Sequence, residues 1–200
     1  PVFPVTDMQE TWIRRHFRIV KSFRVPIGID EETFGARAEK ILKNHPALRS
    51  AFFEEGEACF TKVLGQKKAN WEYRDYRMLK PERRRSAVGA YLTGLYGFPK
   101  HESLFFPAAF RMSDDETALV LICDHTAIDG LSEQILLEDL ITDRPDRQDA
   151  YIPWLEAIHD PARLIVAKEF WQEYLKDSVP ACIPAPAGGQ IGASQAKGAY

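Results

Sequence analysis

A histidine and an aspartate four residues apart give the sequence its clearest chemical signature. Residues 123–132 read CDHTAIDGLS and contain His125, Asp129 and, directly after the aspartate, Gly130. Imidazole titrates near neutral pH, so His125 is able to take a proton from an attacking amine or hydroxyl group. We therefore predict that His125 is a catalytic residue. The simpler alternative is a histidine packed in the core.

The elements on either side of this stretch would present it at the edge of a sheet. Residues 117–123 form an apolar run without alternation, which is typical of a central strand buried on both faces. A helix is predicted over residues 131–141, with Ser132 as its N-cap. Gly130 is expected to let the chain turn sharply. Asp129 is expected to hold the turn shut by pairing with a buried arginine.

The cysteines and the other histidines predict no second site. Cys123 lies on the same strand face as His125, but its apolar surroundings predict a raised pKa that disfavours a thiolate nucleophile. Cys59 and Cys182 lie far from it in the sequence, and no pair has the spacing of metal ligands, which favours a reducing cytoplasm and no metal. His45 is predicted at a helix end, near a carbonyl group. The histidines predicted to lie on the surface are His16, His101 and His159.

Composition narrows the class of protein. The chain has 200 residues, 45% of them apolar and 28% charged, which predicts one globular domain with or without a tail. A net charge of −3 argues against nucleic-acid binding. The basic residues 83–85 are either a solvated helix face or a docking patch for an acidic partner. No apolar run nears the roughly 20 residues of a membrane span, and no signal peptide is recognisable, so a cytoplasmic protein without membrane contact is expected.

Strand and helix patterns alternate irregularly along the chain, which predicts an α/β fold with a mixed sheet. Hairpin turns are predicted at residues 54–57 and 113–116, and a first helix is predicted after an N-cap at Thr6 or Asp7. Residues 179–200 are rich in Pro, Ala and Gly and predict a linker or tail. Further strands are predicted over 17–25 and 71–76, and helices over 31–43, 81–96 and 161–176. The tryptophans predicted as core anchors are Trp12, Trp154 and Trp171.

The stretch around His125 resembles the His-His-x-x-x-Asp-Gly motif of condensation domains of nonribosomal peptide synthetases. It is also similar to the His-x-x-x-Asp-Gly motif of chloramphenicol acetyltransferases and of plant and polyketide-associated acyltransferases. The resemblance covers residues 1–178, which we interpret as the N-terminal lobe of a condensation domain with a chloramphenicol-acetyltransferase-like fold. The other segments that resemble family segments, in the same order, are 6–12 (TDMQETW), 44–52 (NHPALRSAF), 151–154 (YIPW) and 170–175 (FWQEYL).

This resemblance implies a V-shaped enzyme of two similar lobes with His125 at a tunnel between them. Asp129 would be structural, with Arg49 as its partner. Donor and acceptor would arrive on the phosphopantetheine arms of acyl or peptidyl carrier proteins, or as coenzyme A esters or free acceptors, with no intrinsic cofactor and no metal. Asp124 replaces the first histidine of the doublet, as a non-histidine residue does in the acetyltransferases. A second, C-terminal lobe is expected in cis or as a separate chain.

Three functions follow from the resemblance. The first is a condensation-type acyltransferase that transfers an acyl group from a thioester to an amine or hydroxyl acceptor in the biosynthesis of nonribosomal peptides or polyketides. The second is a non-catalytic docking module that recruits carrier or tailoring proteins, which the loss of a histidine at Asp124 and the missing lobe favour. The third is epimerization, which depends on residues of the second lobe. The intact His125, Asp129 and Gly130 favour the first.

Overall fold

The computed structural model describes most of the chain and divides it into two compact units, Pro1–Asp160 and Pro161–Tyr200. The described residues are 1–15, 17–65, 67–95, 103–144, 146 and 150–179. The predicted linker therefore lies outside them except for residue 179, and the predicted lobe boundary at 178 stays a prediction. His16, His101 and Cys182 also lie outside the described residues.

The described residues contain seven strands and six α-helices. All of these lie in the first unit except the last helix. The strands are β1 (Val2–Pro4), β2 (Arg18–Val25), β3 (Ser50–Glu55), β4 (Ala58–Val63), β5 (Glu72–Asp75), β6 (Phe105–Arg111) and β7 (Thr117–Asp124). The helices are α1 (Asp7–Arg15), α2 (Glu31–Asn44), α3 (Pro81–Gly94), α4 (Gly130–Ile141), α5 (Tyr151–Ile158) and α6 (Pro161–Tyr174), with a 3₁₀ turn at Pro46–Arg49.

The strands form two sheets. The smaller is antiparallel in the order β1-β4-β3, and the larger has the order β2-β7-β6-β5. The pairs β2–β7 and β6–β7 are antiparallel, whereas β5 and β6 run parallel. The predicted α/β class with a mixed sheet flanked by helices is therefore confirmed. The separate small sheet was not predicted, because alternation along a strand does not show which strands pair.

Strand β7 lies in the middle of the larger sheet and is buried on both faces, as predicted from its apolar run. On one face, Leu119, Leu121 and Cys123 pack in a cluster with apolar residues of α2 and α4. On the other face, Val120 and Ile122 pack in a second cluster that includes a residue of α3. A strand held from both faces in this way fixes the position of the residues that follow it.

Both predicted hairpins are present. Strands β3 and β4 are joined at Gly56, whose φ of 65° lies in the left-handed region that glycine adopts without strain. Strands β6 and β7 are joined through a turn in which the N–H groups of Met112 and Ser113 donate to the Glu116 carbonyl. The N-cap of α1 is Thr6, since its hydroxyl accepts from the Gln9 N–H.

Three details of the sequence-based description were wrong or incomplete. Trp154 is not a core anchor, because its side chain is about half exposed, at 44%. The prediction for Trp171, which belongs to the second unit, stays a prediction. Residues 151–158 form a helix that was not predicted from the sequence. The helix can form although it contains a proline, because that proline lies in the first turn, where it is tolerated. In the basic cluster Arg84 is structural, because its guanidinium donates to three backbone carbonyls, those of Arg77, Leu79 and Met112.

Candidate active site

His125 follows the last residue of β7, where the central strand leaves the sheet. Its backbone N–H donates to the carbonyl of Phe17, which extends the pairing of β2 and β7 by one step. Its ring Nδ1 lies 2.9 Å from the carbonyl oxygen of Ile128. A carbonyl oxygen only accepts hydrogen bonds, so Nδ1 carries the proton of the neutral ring. The other nitrogen, Nε2, then keeps its lone pair and has the state that a general base requires.

Two aromatic rings cover the imidazole of His125. The indole of Trp12 is stacked on it, with 4.4 Å between ring centroids and an angle of 7° between planes. The ring of Phe17 lies at 5.7 Å and is tilted by 43°. Trp12, predicted as a core anchor, is only half-buried and belongs to the site instead. His125 itself is half-buried, which excludes the alternative of a histidine sealed in the core.

Hydrogen bonds to the backbone fix the loop that contains His125. The Asp124 carboxylate accepts from the Thr126 N–H at 2.9 Å, and the Asp124 carbonyl accepts from the Ala127 N–H at 3.1 Å. From helix α1, Nε2 of Gln9 donates to the Thr126 carbonyl at 3.3 Å. Asp124 therefore closes a short turn of this loop.

Asp129 is the N-cap of α4, a role predicted for Ser132. Its carboxylate accepts from the Ser132 N–H at 2.9 Å and from the Ser132 hydroxyl at 2.7 Å, and the two residues form a capping box. The bond from the Ser132 N–H, and next the one from its hydroxyl, lower the pKa of Asp129. The carboxylate is thus satisfied within its own loop and helix.

The predicted ion pair of Asp129 with Arg49 is wrong. The Arg49 guanidinium donates instead to the carbonyls of Leu42, Leu64 and Gly65, at 2.7, 2.7 and 3.2 Å. Arg49 therefore ties the end of α2 to the segment after β4. The reason is chemical, because a guanidinium has five donors and three carbonyls at a helix end and a loop satisfy most of them.

Gly130 does not play the expected conformational role. It is the first residue of α4, its φ is not in the left-handed region, and a Cβ atom added to it would meet nothing within 4 Å. The turn is made by the capping residue before it. Neither local backbone strain nor packing within the described residues requires glycine at this position.

Cys123 is not a nucleophile in this arrangement. Its side chain is buried in the cluster between the larger sheet and helices α2 and α4, where it is 1% exposed. Burial raises the pKa of its thiol to about 12. The prediction that the apolar strand keeps this thiol protonated is confirmed.

Two adjoining hollows lie near residues 127 and 128 of this loop, and His125 lines only the smaller one. The smaller, of about 240 Å³, is lined by His125, Gln9 and Trp12 among others. The larger, of about 520 Å³, has largely apolar walls and is lined by Leu48, Ile135 and other residues. The residues that line both are Ala127, Ile128, Ser132, Tyr151 and Trp154. The larger hollow has the volume of a small-molecule site, and it shares five lining residues with the smaller hollow that His125 lines.

Sequence reasoning placed Gln9 in a family-like segment but gave it no role in the site, and it missed the two backbone carbonyls that order the site. The spacing of Thr6 and Gln9 is the signal that could have located Gln9, since a Thr-x-x-Gln capping box fixes the start of α1. Residue 12 then falls one turn after Gln9, on the same side of the helix. The carbonyls of Thr126 and Ile128 carry no sequence signal at all.

Within the described ranges, no three His, Cys, Asp or Glu side chains are grouped so that they could hold a metal ion. In the same part of the chain, no helix is long and apolar enough to cross a bilayer.

Comparison with known families shows which family the chain belongs to. A family model described as condensation domain matches residues 13–194. This chain belongs to the condensation domain family. Relatives of this condensation domain include bacitracin synthase 3 from Bacillus licheniformis, 26% identical over an alignment of 164 positions that covers 74% of this chain and 2% of that protein. Chondramide synthase cmdD from Chondromyces crocatus is 25% identical over an alignment of 174 positions that covers 77% of this chain and 4% of that protein.

Solved structures show the same fold. The SgcC5 protein from Streptomyces globisporus has a TM-score of 0.61 and 25% identity, and the match covers 86% of this condensation domain chain and 46% of that chain. The starter condensation domain of rhizomide synthetase RzmA has a TM-score of 0.70 and 13% identity, covering 90% of this chain and 51% of that one. The chain thus spans about half the length of these structures and a few per cent of the synthases.

Proposed function

We propose that this chain is the histidine-bearing part of a condensation-type acyltransferase, in which Nε2 of His125 is the general base. The observation that supports this most directly is the 2.9 Å hydrogen bond from Nδ1 to the Ile128 carbonyl, which leaves Nε2 available to a molecule in the adjoining hollow. Membership of the condensation domain family supports the reaction class.

The proposed donor is an acyl thioester on the phosphopantetheine arm of a carrier protein, or a coenzyme A ester. Two proteins of similar fold support a thioester donor: one RzmA variant was solved in complex with C8-CoA, and another condensation domain mediates chain release from the enacyloxin polyketide synthase. The acceptor is an amine or a hydroxyl group, and the remainder of the tunnel is supplied by a second lobe.

The proposed reaction is a nucleophilic substitution at the thioester carbonyl. The acceptor N–H or O–H gives its proton to Nε2 of His125 while its lone pair attacks the carbonyl carbon, and a tetrahedral oxyanion forms. The oxyanion collapses, the carbon–sulfur bond breaks, and the leaving thiolate takes the proton back from Nε2. The products are an amide or ester and a free thiol, so His125 returns to its initial state.

The test compares acyl transfer by the complete synthetase protein with wild-type His125 and with His125→Ala. We expect the variant to transfer the acyl group about 100- to 10,000-fold more slowly than the wild type, which is the usual contribution of a general base. The matched control is His159→Ala, because His159 also bonds a backbone carbonyl, that of Pro4, but lies outside the site. Full turnover by His125→Ala would refute the proposal.

The same assay separates catalysis from docking. A docking module binds a loaded carrier protein and transfers nothing. Carrier binding is therefore measured alongside transfer. Wild-type protein that binds the loaded carrier without forming product would have the docking role. Retention of carrier binding by His125→Ala, with loss of transfer, supports the catalytic proposal.

A further inference from the structure

Trp12 makes the closest ring contact with His125, and its geometry is that of a parallel stack. The two ring centroids are 4.4 Å apart and the planes differ by 7°, whereas Phe17 meets the same imidazole at a tilt of 43°. The parallel face contact covers one side of the imidazole ring.

One hydrogen bond does not fix an imidazole ring. The bond from Nδ1 of His125 to the Ile128 carbonyl holds one atom of the ring, but the ring can still tilt about that contact. The χ2 torsion of histidine is broad, so the side chain alone does not choose a plane. A second contact over the ring face removes this freedom, and the indole of Trp12 supplies it.

Helix α1 is attached so that it can hold Trp12 in place. At its start, the Gln9 side chain accepts from the Thr6 N–H, and the Thr6 hydroxyl accepts from the Gln9 N–H. The other end of the Gln9 amide donates to the Thr126 carbonyl, one residue beyond His125. One residue of α1 thus fixes both the helix start and the loop, and Trp12 lies one turn further along.

We infer that Trp12 is a positioning residue, whose indole sets the plane of the His125 imidazole so that Nε2 meets the acceptor in a productive orientation. This inference rests on the proposed function for its effect on turnover. Trp12 moves no proton in it. A large, rigid ring suits this task because a flat contact orders the imidazole at little cost in side-chain freedom.

The first experiment measures the stack itself in the isolated chain. The ring current of an indole stacked face to face shifts the imidazole C–H proton resonances of His125 upfield in an NMR spectrum. We expect Trp12→Leu to abolish this shift and Trp12→Phe to retain part of it. Trp154→Leu is the control, because Trp154 lines the same hollow but has no ring contact with His125 among the described pairs.

The second experiment measures acyl transfer by the complete protein. Misplacement of a reacting group costs up to about 100-fold in rate, so we expect Trp12→Leu to lower kcat about 10- to 100-fold with KM changed less than about threefold. Trp12→Phe, which keeps a flat ring, is expected to restore most of the rate. Far-ultraviolet circular dichroism of each variant checks that the fold is intact.

The outcomes separate this inference from the proposed function. If His125→Ala keeps full transfer, the proposed function fails, whereas the ring-current result still reports whether the stack exists. If His125→Ala loses transfer but Trp12→Leu keeps both the upfield shift and kcat, the inference is overturned. Loss of the shift without any change in kcat also overturns it, because the plane of the ring would then not matter to the reaction.

Discussion

The imidazole Nδ1 of His125 bonds the carbonyl oxygen of Ile128, three residues further along the same loop, at 2.9 Å. This bond depends on a loop conformation that several independent contacts hold. Asp124 accepts from the Thr126 N–H at its start, Gln9 donates to its middle, and Asp129 caps the helix at its end. The state of the proposed base is therefore set by backbone groups.

The cap at Asp129 is expected to stabilise the fold by its hydrogen bonds more than by its charge. We predict that Asp129→Ala lowers the free energy of unfolding by about 1 kcal/mol, the usual value for a lost N-cap. Asp129→Asn keeps an acceptor for the Ser132 N–H and should cost much less. Urea unfolding at pH 7 measures both, and equal losses for the two variants would contradict the capping role.

Acidification should reveal the small charge-dependent part of this cap. The folded-state pKa of Asp129 is lowered, so its contribution is complete above its unfolded pKa of about 3.9 and is lost as pH falls through the lower, folded-state value. The stability difference between wild type and Asp129→Asn should therefore shrink below about pH 4. A difference that grows on acidification would contradict this assignment.

Cys123 is expected to resist alkylation in the folded chain. The reactive species is the thiolate, and burial raises the pKa of this thiol to about 12. Treatment with iodoacetamide at pH 8, followed by peptide mass mapping, should show slow modification of Cys123 in the native chain and rapid modification in urea. Because the pKa is raised in the folded state, its contribution to stability is present below the unfolded pKa of about 8.5 and decreases above it.

Replacement by alanine should destabilise the fold at one glycine of the first unit and have little effect at another. A Cβ atom at Gly35 would lie 2.6 Å from Cζ2 of Trp71, whereas one at Gly130 would meet nothing within 4 Å. We expect Gly35→Ala to lower the free energy of unfolding by about 1–3 kcal/mol through overpacking. Gly130→Ala should change it by less than about 0.5 kcal/mol. Urea unfolding of the two variants side by side checks this contrast.

His45 lies at the end of α2, as predicted, where its backbone N–H donates to the Ile41 carbonyl. Its ring Nε2 bonds the carboxylate of Asp139 at 2.8 Å. The pair joins the end of α2 to α4, and both side chains are largely buried, at 19% and 9% exposed. We predict a coupling free energy of at least about 0.5 kcal/mol in a double-mutant cycle of His45→Ala and Asp139→Ala. Additive losses in urea unfolding would show that the contact does not contribute.

Much of the scaffold was predictable because its signals are local. The apolar run of β7 predicted a strand buried on both faces, and the residues around Gly56 predicted a hairpin. The first helix has its N-cap at Thr6, one of the two residues predicted for that role. Each of these depends on side-chain types within a few residues of one another.

The contacts of the site were less predictable because they join distant segments. Gln9 and Thr126 are 117 residues apart in the sequence, and their hydrogen bond uses a backbone carbonyl that every residue type has. Arg49 was assigned to Asp129 from the family resemblance, yet three carbonyls bind it. Trp12 has a side chain of the type usually found in a core, and only the folded structure shows that it stacks on His125.

The protonation of the His125 ring is the property on which the proposed chemistry depends most. Long-range ¹H–¹⁵N spectra of the isolated chain, recorded at a pH where its imidazoles are neutral, report which ring nitrogen carries the proton. The structure predicts a protonated Nδ1 and an unprotonated Nε2 for His125, assigned by comparison with the His125→Ala variant. A spectrum with the proton on Nε2 would contradict the account, because that nitrogen could not then act as the base.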